Sequence, residues 1–99
     1  MDYIKTTKKE QIERIKQMEL RMERAAKAVM ELSTALENYE AVQKDIAALE
    51  RYYGSEAWKQ DFADDEAGLL PADLKRGVLS EDGIWNLLED VRELNNRLQ

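Results

Sequence analysis

The fold of this chain is decided by residues 51–88, which read RYYGSEAWKQDFADDEAGLLPADLKRGVLSEDGIWNLL. More than half of the positions in this stretch are large aromatic residues, acids, or residues that form turns and helix caps. Gly54 and Gly68 are typical of positions where a helix ends, and Ser55 and Ser80 are typical N-caps. The stretch therefore predicts several short helices separated by defined turns.

The second half of the chain predicts three helical pieces. A short helix is expected over residues 55–66, and a turn of helix over residues 71–76. An amphipathic C-terminal helix is expected over residues 80–98, with Ser80 as its cap and acids in its first turn, where they favour the helix dipole. No segment alternates between apolar and polar residues, so no sheet is expected.

The first half predicts one long amphipathic helix over residues 8–53. Thr7 followed by Glu10 forms a capping box, and no Gly or Pro lies within or before this range. Apolar residues recur at alternating spacings of three and four, as they do in a coiled coil. At Gln43 the strict heptad fails, and the pattern resumes one residue out of phase.

A helix of this length, about 69 Å, must be covered by something. One arrangement keeps the helix continuous and pairs it with the C-terminal helix and with a second subunit. The other breaks it at Ser33-Thr34, where Thr34 and Glu37 form a second possible capping box, and folds it into a hairpin. We favour the continuous helix because the apolar pattern passes this point without losing phase. The expected fold is all-α, either a helical bundle or a coiled-coil-like dimer.

Charge is distributed unevenly along the chain. Eight basic and five acidic residues give residues 1–27 a net charge of +3, and two basic and five acidic residues give residues 28–54 a net charge of −3. An antiparallel dimer would bring these segments together. The residues expected to form its seam, called here the apolar stripe, are Ile15, Met18, Met22, Val29, Leu32, Leu36 and Tyr39.

Composition excludes many kinds of chemistry. The 99 residues are expected to form a single domain, and they include no Cys and no His. Disulfides, thiolate nucleophiles, imidazole bases and the usual zinc sites are therefore impossible. No signal peptide and no membrane-spanning run is visible, so we expect a cytoplasmic protein without membrane contact.

Acidic side chains are the remaining candidates for a metal site. Asp61, Asp64 and Asp65 lie close together, but they lack the order of a calcium-binding loop. Glu37 and Glu40, taken with Asp61 and Asp64, repeat the acid-x-x-acid spacing by which all-helical nucleotide pyrophosphohydrolases collect magnesium. Such pairs are common in a chain with 36% charged residues. We therefore expect no metal site, no cofactor and no catalytic residues.

Aromatic residues are concentrated in the second half. They could form a platform for stacked bases or a groove for a peptide, but we expect them to form a structural cluster that locks the short helices onto the long one. The residues of this predicted aromatic cluster are Tyr52, Tyr53, Trp58, Phe62 and Trp85.

Four motifs carry a resemblance to a known family: Tyr52-Tyr53-Gly54-Ser55, Trp58, the segment DLKRGVLSED at residues 73–82, and Leu87-Leu88. Together they resemble a family of small bacterial helical proteins that is catalogued as a domain of unknown function. The resemblance implies a bacterial helical protein and supplies no catalytic residues.

These observations predict a non-enzymatic protein-protein interaction module or a structural or regulatory one. The expected partners are a second copy of the chain and an unidentified protein. Nucleic acid is not an expected partner because most of the chain is acidic. Two alternatives stay open: a divalent-metal-dependent nucleotide hydrolase that uses the acid-x-x-acid pairs, and an acidic regulator that mimics nucleic acid.

Overall fold

The protein is described by a computed structural model that covers residues 7–99. All regular structure in this range is helical, and the range contains no strand. The elements are α1 at Lys8–Ala41, α2 at Gln43–Tyr52, α3 at Glu56–Glu66, a 3-10 helix η1 at Gly77–Leu79, and α4 at Gly83–Arg97. The all-α class, with a long first helix followed by shorter ones, is confirmed.

The chain divides into two compact units, Met1–Ala41 and Val42–Gln99. In the described part of the chain, the first unit consists of α1, and the second contains α2, α3, η1 and α4. That the whole chain folds as one domain stays a prediction.

The helix α1 begins at the predicted cap. The backbone N–H of Glu10 donates to Thr7 Oγ1 at 3.1 Å, which satisfies one of the donors that the first turn of a helix leaves unpaired. The helix then runs through Ser33 and Thr34 without interruption. The alternative hairpin, broken at Ser33-Thr34, is therefore not adopted.

The predicted helix over residues 8–53 is wrong at one position, because it is interrupted at Val42. Val42 has φ −101° and ψ 8°, far from the helical values of about −63° and −42°. A β-branched side chain lowers helix propensity only slightly, and Val29 lies within α1, so the residue type alone does not account for the break. The loss of heptad phase at Gln43 was the signal of this break. A new helix, α2, then starts, and Ile46 N–H donates to the Val42 carbonyl at 3.0 Å.

Local signals at the end of α2 and the start of α3 correspond to the structure. Gly54 has φ 80°, a left-handed conformation that glycine adopts without the steric cost of a side chain. Ser55 then caps α3, since its Oγ accepts from the N–H of Trp58 at 3.1 Å. The structure therefore has α3 at Glu56–Glu66, where the sequence predicted a helix over residues 55–66.

The helical turn predicted over residues 71–76 is wrong. The carbonyl oxygens of Pro71, Ala72 and Leu74 accept hydrogen bonds from the Arg76 guanidinium at 2.7, 3.1 and 2.9 Å. Because a side chain bonds these oxygens, the segment does not need a helical ladder to satisfy them. The nearest helical turn is η1, which starts after Arg76.

The last helix begins at Gly83, three residues later than predicted. The N-cap position of α4 is Asp82 and not the predicted Ser80, although Ser80 Oγ accepts from the N–H of Gly83, the first residue of the helix, at 2.9 Å. The same hydroxyl donates to the Gly77 carbonyl at 2.9 Å, which joins the start of α4 to η1. Residues 80–82 form this connection and not the first turn of the helix.

The second unit packs around η1. This 3-10 helix contacts both α3 and α4, and α4 also contacts α2. Three apolar side chains form the buried centre, one from each of three elements: Ile46 of α2, Leu79 of η1 and Ile84 of α4. The core is small, so the polar bonds described below contribute to holding the helices in place.

Candidate interaction surface

The helix α1 presents the apolar stripe to solvent. Within Lys8–Ala41 no residue is buried. Leu36 and Tyr39 are half-buried, and the other five residues of the stripe are more than half exposed. Their exposed fractions are Ile15 52%, Met18 56%, Met22 60%, Val29 68% and Leu32 58%. A row of large apolar side chains in contact with water is typical of a surface that binds another protein.

The apolar stripe forms one face because α1 is continuous over its whole length. Residues spaced three and four apart lie above one another on a helix, and the distance from Ile15 to Tyr39 is about 36 Å. Three further large apolar residues of α1, outside the apolar stripe, are also exposed: Ile12, Leu20 and Met30. Ile12 precedes Ile15 by three residues, where the alternation of the stripe requires four, so the stripe pattern alone does not include it.

The charges of α1 are ordered against its own dipole. Residues 8–27 contain seven basic and four acidic residues, a net charge of +3, and residues 28–41 contain three acids and no base, a net charge of −3. A helix dipole favours negative charge at the N-terminus and positive charge at the C-terminus. The order in α1 is the reverse, and it is unfavourable for the helix alone mainly in the terminal turns, where Lys8 and Lys9 lie at the N-terminus and Glu40 lies at the C-terminus.

Three of the five residues of the predicted aromatic cluster contact one another in the second unit. Tyr53 packs edge-on against Trp58 with ring centres 5.2 Å apart, and Trp58 stacks on Phe62 at 5.4 Å. Trp58 Nε1 donates to the Val78 carbonyl at 2.9 Å, and the Tyr53 hydroxyl donates to the Glu81 carbonyl at 3.2 Å. Their polar atoms are thus committed to the backbone that leads into α4.

The other two predicted members lie elsewhere. Trp85 of α4 is 52% exposed, next to the buried Ile84. Tyr52 joins α2 to α3, since its hydroxyl donates to Asp61 Oδ2 at 2.6 Å. This hydrogen bond to the carboxylate, with burial and the carboxylate's negative charge as smaller causes, raises the pKa of Tyr52 to about 12.

The acids of α3 bond to neighbouring side chains. Asp61 accepts from Tyr52, and Asp64 Oδ1 accepts from Gln60 Nε2 at 2.8 Å. Asp65 Oδ1 accepts from Arg76 Nε at 2.6 Å. The other two acids of the weak metal alternative, Glu37 and Glu40, are exposed on α1. Among residues 7–99, no group of three or more acids is placed to hold a metal ion.

A groove of about 480 Å³ opens in the second unit between α2, η1 and the start of α4. Apolar side chains and two glycines form most of its lining: Leu49, Gly77, Val78, Gly83, Ile84 and Leu87. Lys75 is its one charged lining residue. The groove is therefore mostly apolar, with the Lys75 amine as its charged group.

This geometry defines a class of protein: a small helical protein with an exposed amphipathic helix and a compact second unit. Residues 15–99 match the family described as Domain of unknown function (DUF4298), and the chain belongs to that family. No curated protein matches the chain, and no solved structure matches it. Among residues 7–99 no helix is long and apolar enough to cross a membrane.

Proposed function

We propose that this protein is a non-enzymatic protein-protein interaction module whose binding surface is the apolar stripe of α1. The observation that carries the proposal is the exposure of five large apolar residues on one face of a continuous helix. Burial of such a face against a partner contributes roughly 25 cal/mol for each Å² of apolar surface removed from water. The stripe therefore offers a physical driving force for association.

The hydrogen bonds made by the acids of α3 support this proposal over the hydrolase alternative. Three carboxylates that could have gathered magnesium, those of Asp61, Asp64 and Asp65, are engaged in hydrogen bonds with side chains of the same unit. Metal binding would have to break these bonds. The proposal also includes a bacterial cytoplasmic setting, which the resemblance to bacterial proteins and the lack of cysteine support.

Affinity capture with a matched pair of variants tests the proposal. Val29→Glu places a charge in the apolar stripe, whereas Thr34→Glu places the same charge on the opposite face of α1. The wild type and Thr34→Glu should retain the same protein from an extract of the source organism. Val29→Glu should lose it, because an unpaired charge at an apolar interface costs several kcal/mol, at least about 2.

Two controls make the result decisive. The retained protein, once identified by mass spectrometry and purified, must bind the purified chain directly. The chain must also be assayed for hydrolysis of nucleoside triphosphates with magnesium. Equal binding by both variants would contradict the assignment of the surface. Hydrolysis that is lost in Asp61→Asn and Asp64→Asn would contradict the non-enzymatic proposal.

A further inference from the structure

We infer that the partner of the apolar stripe is α1 of a second copy of this chain, paired antiparallel and centred near Lys27. The inference rests on the proposed function, because it names the partner of the same surface. Three observations on α1 carry it: the order of its charges, the alternation within its stripe, and the small side chains at its middle.

The charges select the direction. In an antiparallel pair, the +3 half of each helix lies along the −3 half of the other. The two dipoles also oppose each other, so the charges that are unfavourable in one helix lie beside the complementary end of its partner. A parallel pair gains one favourable contact between copies, Arg14 with Glu19, but sets like-charged halves side by side along the seam.

The stripe selects the register. The stripe alternates between two kinds of position, one followed by a step of three residues and the other by a step of four. In an antiparallel coiled coil, each layer pairs a residue of one kind with a residue of the other kind from the second helix. Centring the pair at Lys27 places all seven residues of the apolar stripe, together with Ala25, in such layers. The layers are Ile15 with Tyr39, Met18 with Leu36, Met22 with Leu32, and Ala25 with Val29. No other centre uses the full stripe, since any shift leaves residues at its ends without an opposing apolar residue.

Small side chains lie where the symmetry axis would pass. Ala26 and Ala28 border the seam on its two sides, and each would meet its own copy there. Ala25 lies in the seam itself. Because the distance between packed helices depends on the side chains between them, this segment allows the two backbones their closest approach at the centre.

The lack of cysteine makes the register directly measurable by disulfide formation. Three single-cysteine variants of the full chain are needed: Ala28→Cys, Met18→Cys and Leu36→Cys. A disulfide requires Cα atoms no more than about 7 Å apart. In the proposed pair, Ala28→Cys should link to itself, and an equimolar mixture of Met18→Cys with Leu36→Cys should give the mixed disulfide. Met18→Cys alone should stay unlinked, since its two copies lie about 27 Å apart.

The outcomes separate this inference from the proposed function. Light scattering should show a dimer at about 100 μM, since a dissociation constant of about 1 μM leaves most of the chain paired there. A monomer at that concentration would overturn the inference, and so would a Met18→Cys self-disulfide, which indicates a parallel pair. Neither result would contradict an apolar stripe that captures a different protein. Circular dichroism of each variant must match the wild type, so that loss of folding is not read as loss of pairing.

Discussion

Arg76 replaces a stretch of backbone hydrogen bonding with a single side chain. Its guanidinium donates to three carbonyl oxygens of the loop before η1 and to the carboxylate of Asp65 on α3. The ion pair is partly shielded, with exposed fractions of 34% and 21% for the two side chains. A planar fork of donors can bond to several acceptors at once, which an ammonium group cannot do in the same geometry.

We expect Arg76→Lys to lower the free energy of unfolding by about 1–3 kcal/mol, because it keeps the charge and loses most of these bonds. Arg92→Lys is the matched control. Its ion pair with Glu89 is local and more exposed, with fractions of 67% and 38%, so this substitution should cost less than about 0.5 kcal/mol. Urea unfolding followed by tryptophan fluorescence measures both. Equal losses in the two variants would show that charge alone matters at Arg76.

Because of Tyr52, the free energy of unfolding should depend on pH in the alkaline range. Its pKa is about 12 in the folded chain against about 10 when unfolded, so the folded state holds the proton more tightly. The contribution is complete below pH 10 and declines as pH rises from about 10 to about 12, because the unfolded chain releases the proton first.

Tyr52→Phe should therefore lower stability at neutral pH by about 1 kcal/mol, the contribution of one hydrogen bond, and should flatten the decline above pH 10. Asp61→Asn should flatten it as well, because the carboxylate is the main cause of the raised pKa. Urea unfolding at several pH values between about 8 and 12 gives the slopes. A wild-type slope that persists in both variants would assign the pH dependence to other groups.

At the scale of elements, the start of α4 depends on a glycine. A Cβ on Gly83 would collide with the Gly77 carbonyl oxygen and would lie 2.6 Å from Ser80 Oγ, whereas a Cβ on Gly77 would meet nothing within 4 Å. Gly83→Ala should destabilise the second unit by about 1–3 kcal/mol, because the backbone of η1 would have to shift. Gly77→Ala should stay within about 0.5 kcal/mol of the wild type. Thermal unfolding by circular dichroism compares them, and similar midpoints would refute the steric argument.

The sequence predicted the elements where local chemistry decides them. The Thr7 and Ser55 caps and the turn at Gly54 need only neighbouring residues, and the structure contains all three. The start of α4 was misplaced because Ser80 also bonds η1, a contact that no local rule requires. The break at Val42 contradicts the predicted continuous helix because a helix can be interrupted without Gly or Pro, and the change of phase at Gln43 is the local signal of it.

The candidate surface was predictable to the same extent. Periodicity identified the apolar stripe, but exposure depends on what packs against a face, so only the structure could show it. The aromatic cluster illustrates the same limit. Ile84 is buried and its neighbour Trp85 is half exposed, since successive residues of a helix point about 100° apart. Composition alone places Trp85 in the predicted aromatic cluster, because it does not indicate which way the side chain points.

At the scale of the whole molecule, salt should distinguish the two directions of pairing. The antiparallel dimer should weaken severalfold when sodium chloride is raised from about 0.05 to about 0.5 M, because screening removes the attraction between opposite halves. A parallel dimer would strengthen under the same change, as its like-charged halves repel less. Sedimentation equilibrium across this range measures the dissociation constant, and an increase in affinity with salt would contradict the antiparallel arrangement.

In the inferred antiparallel pair, the reversed order of charges would couple helix formation in α1 to the association of two chains. A lone α1 carries its basic half at the positive end of its dipole, which lowers its helical stability, and the acidic half of a partner would offset this. Ordering and pairing then occur together, and helix content should rise with chain concentration between about 1 and 100 μM. The amount of protein that a cell makes would thereby decide whether α1 is paired with a second copy or is unpaired and available to a different protein. Helix content that is constant across this range would rule out such control by abundance.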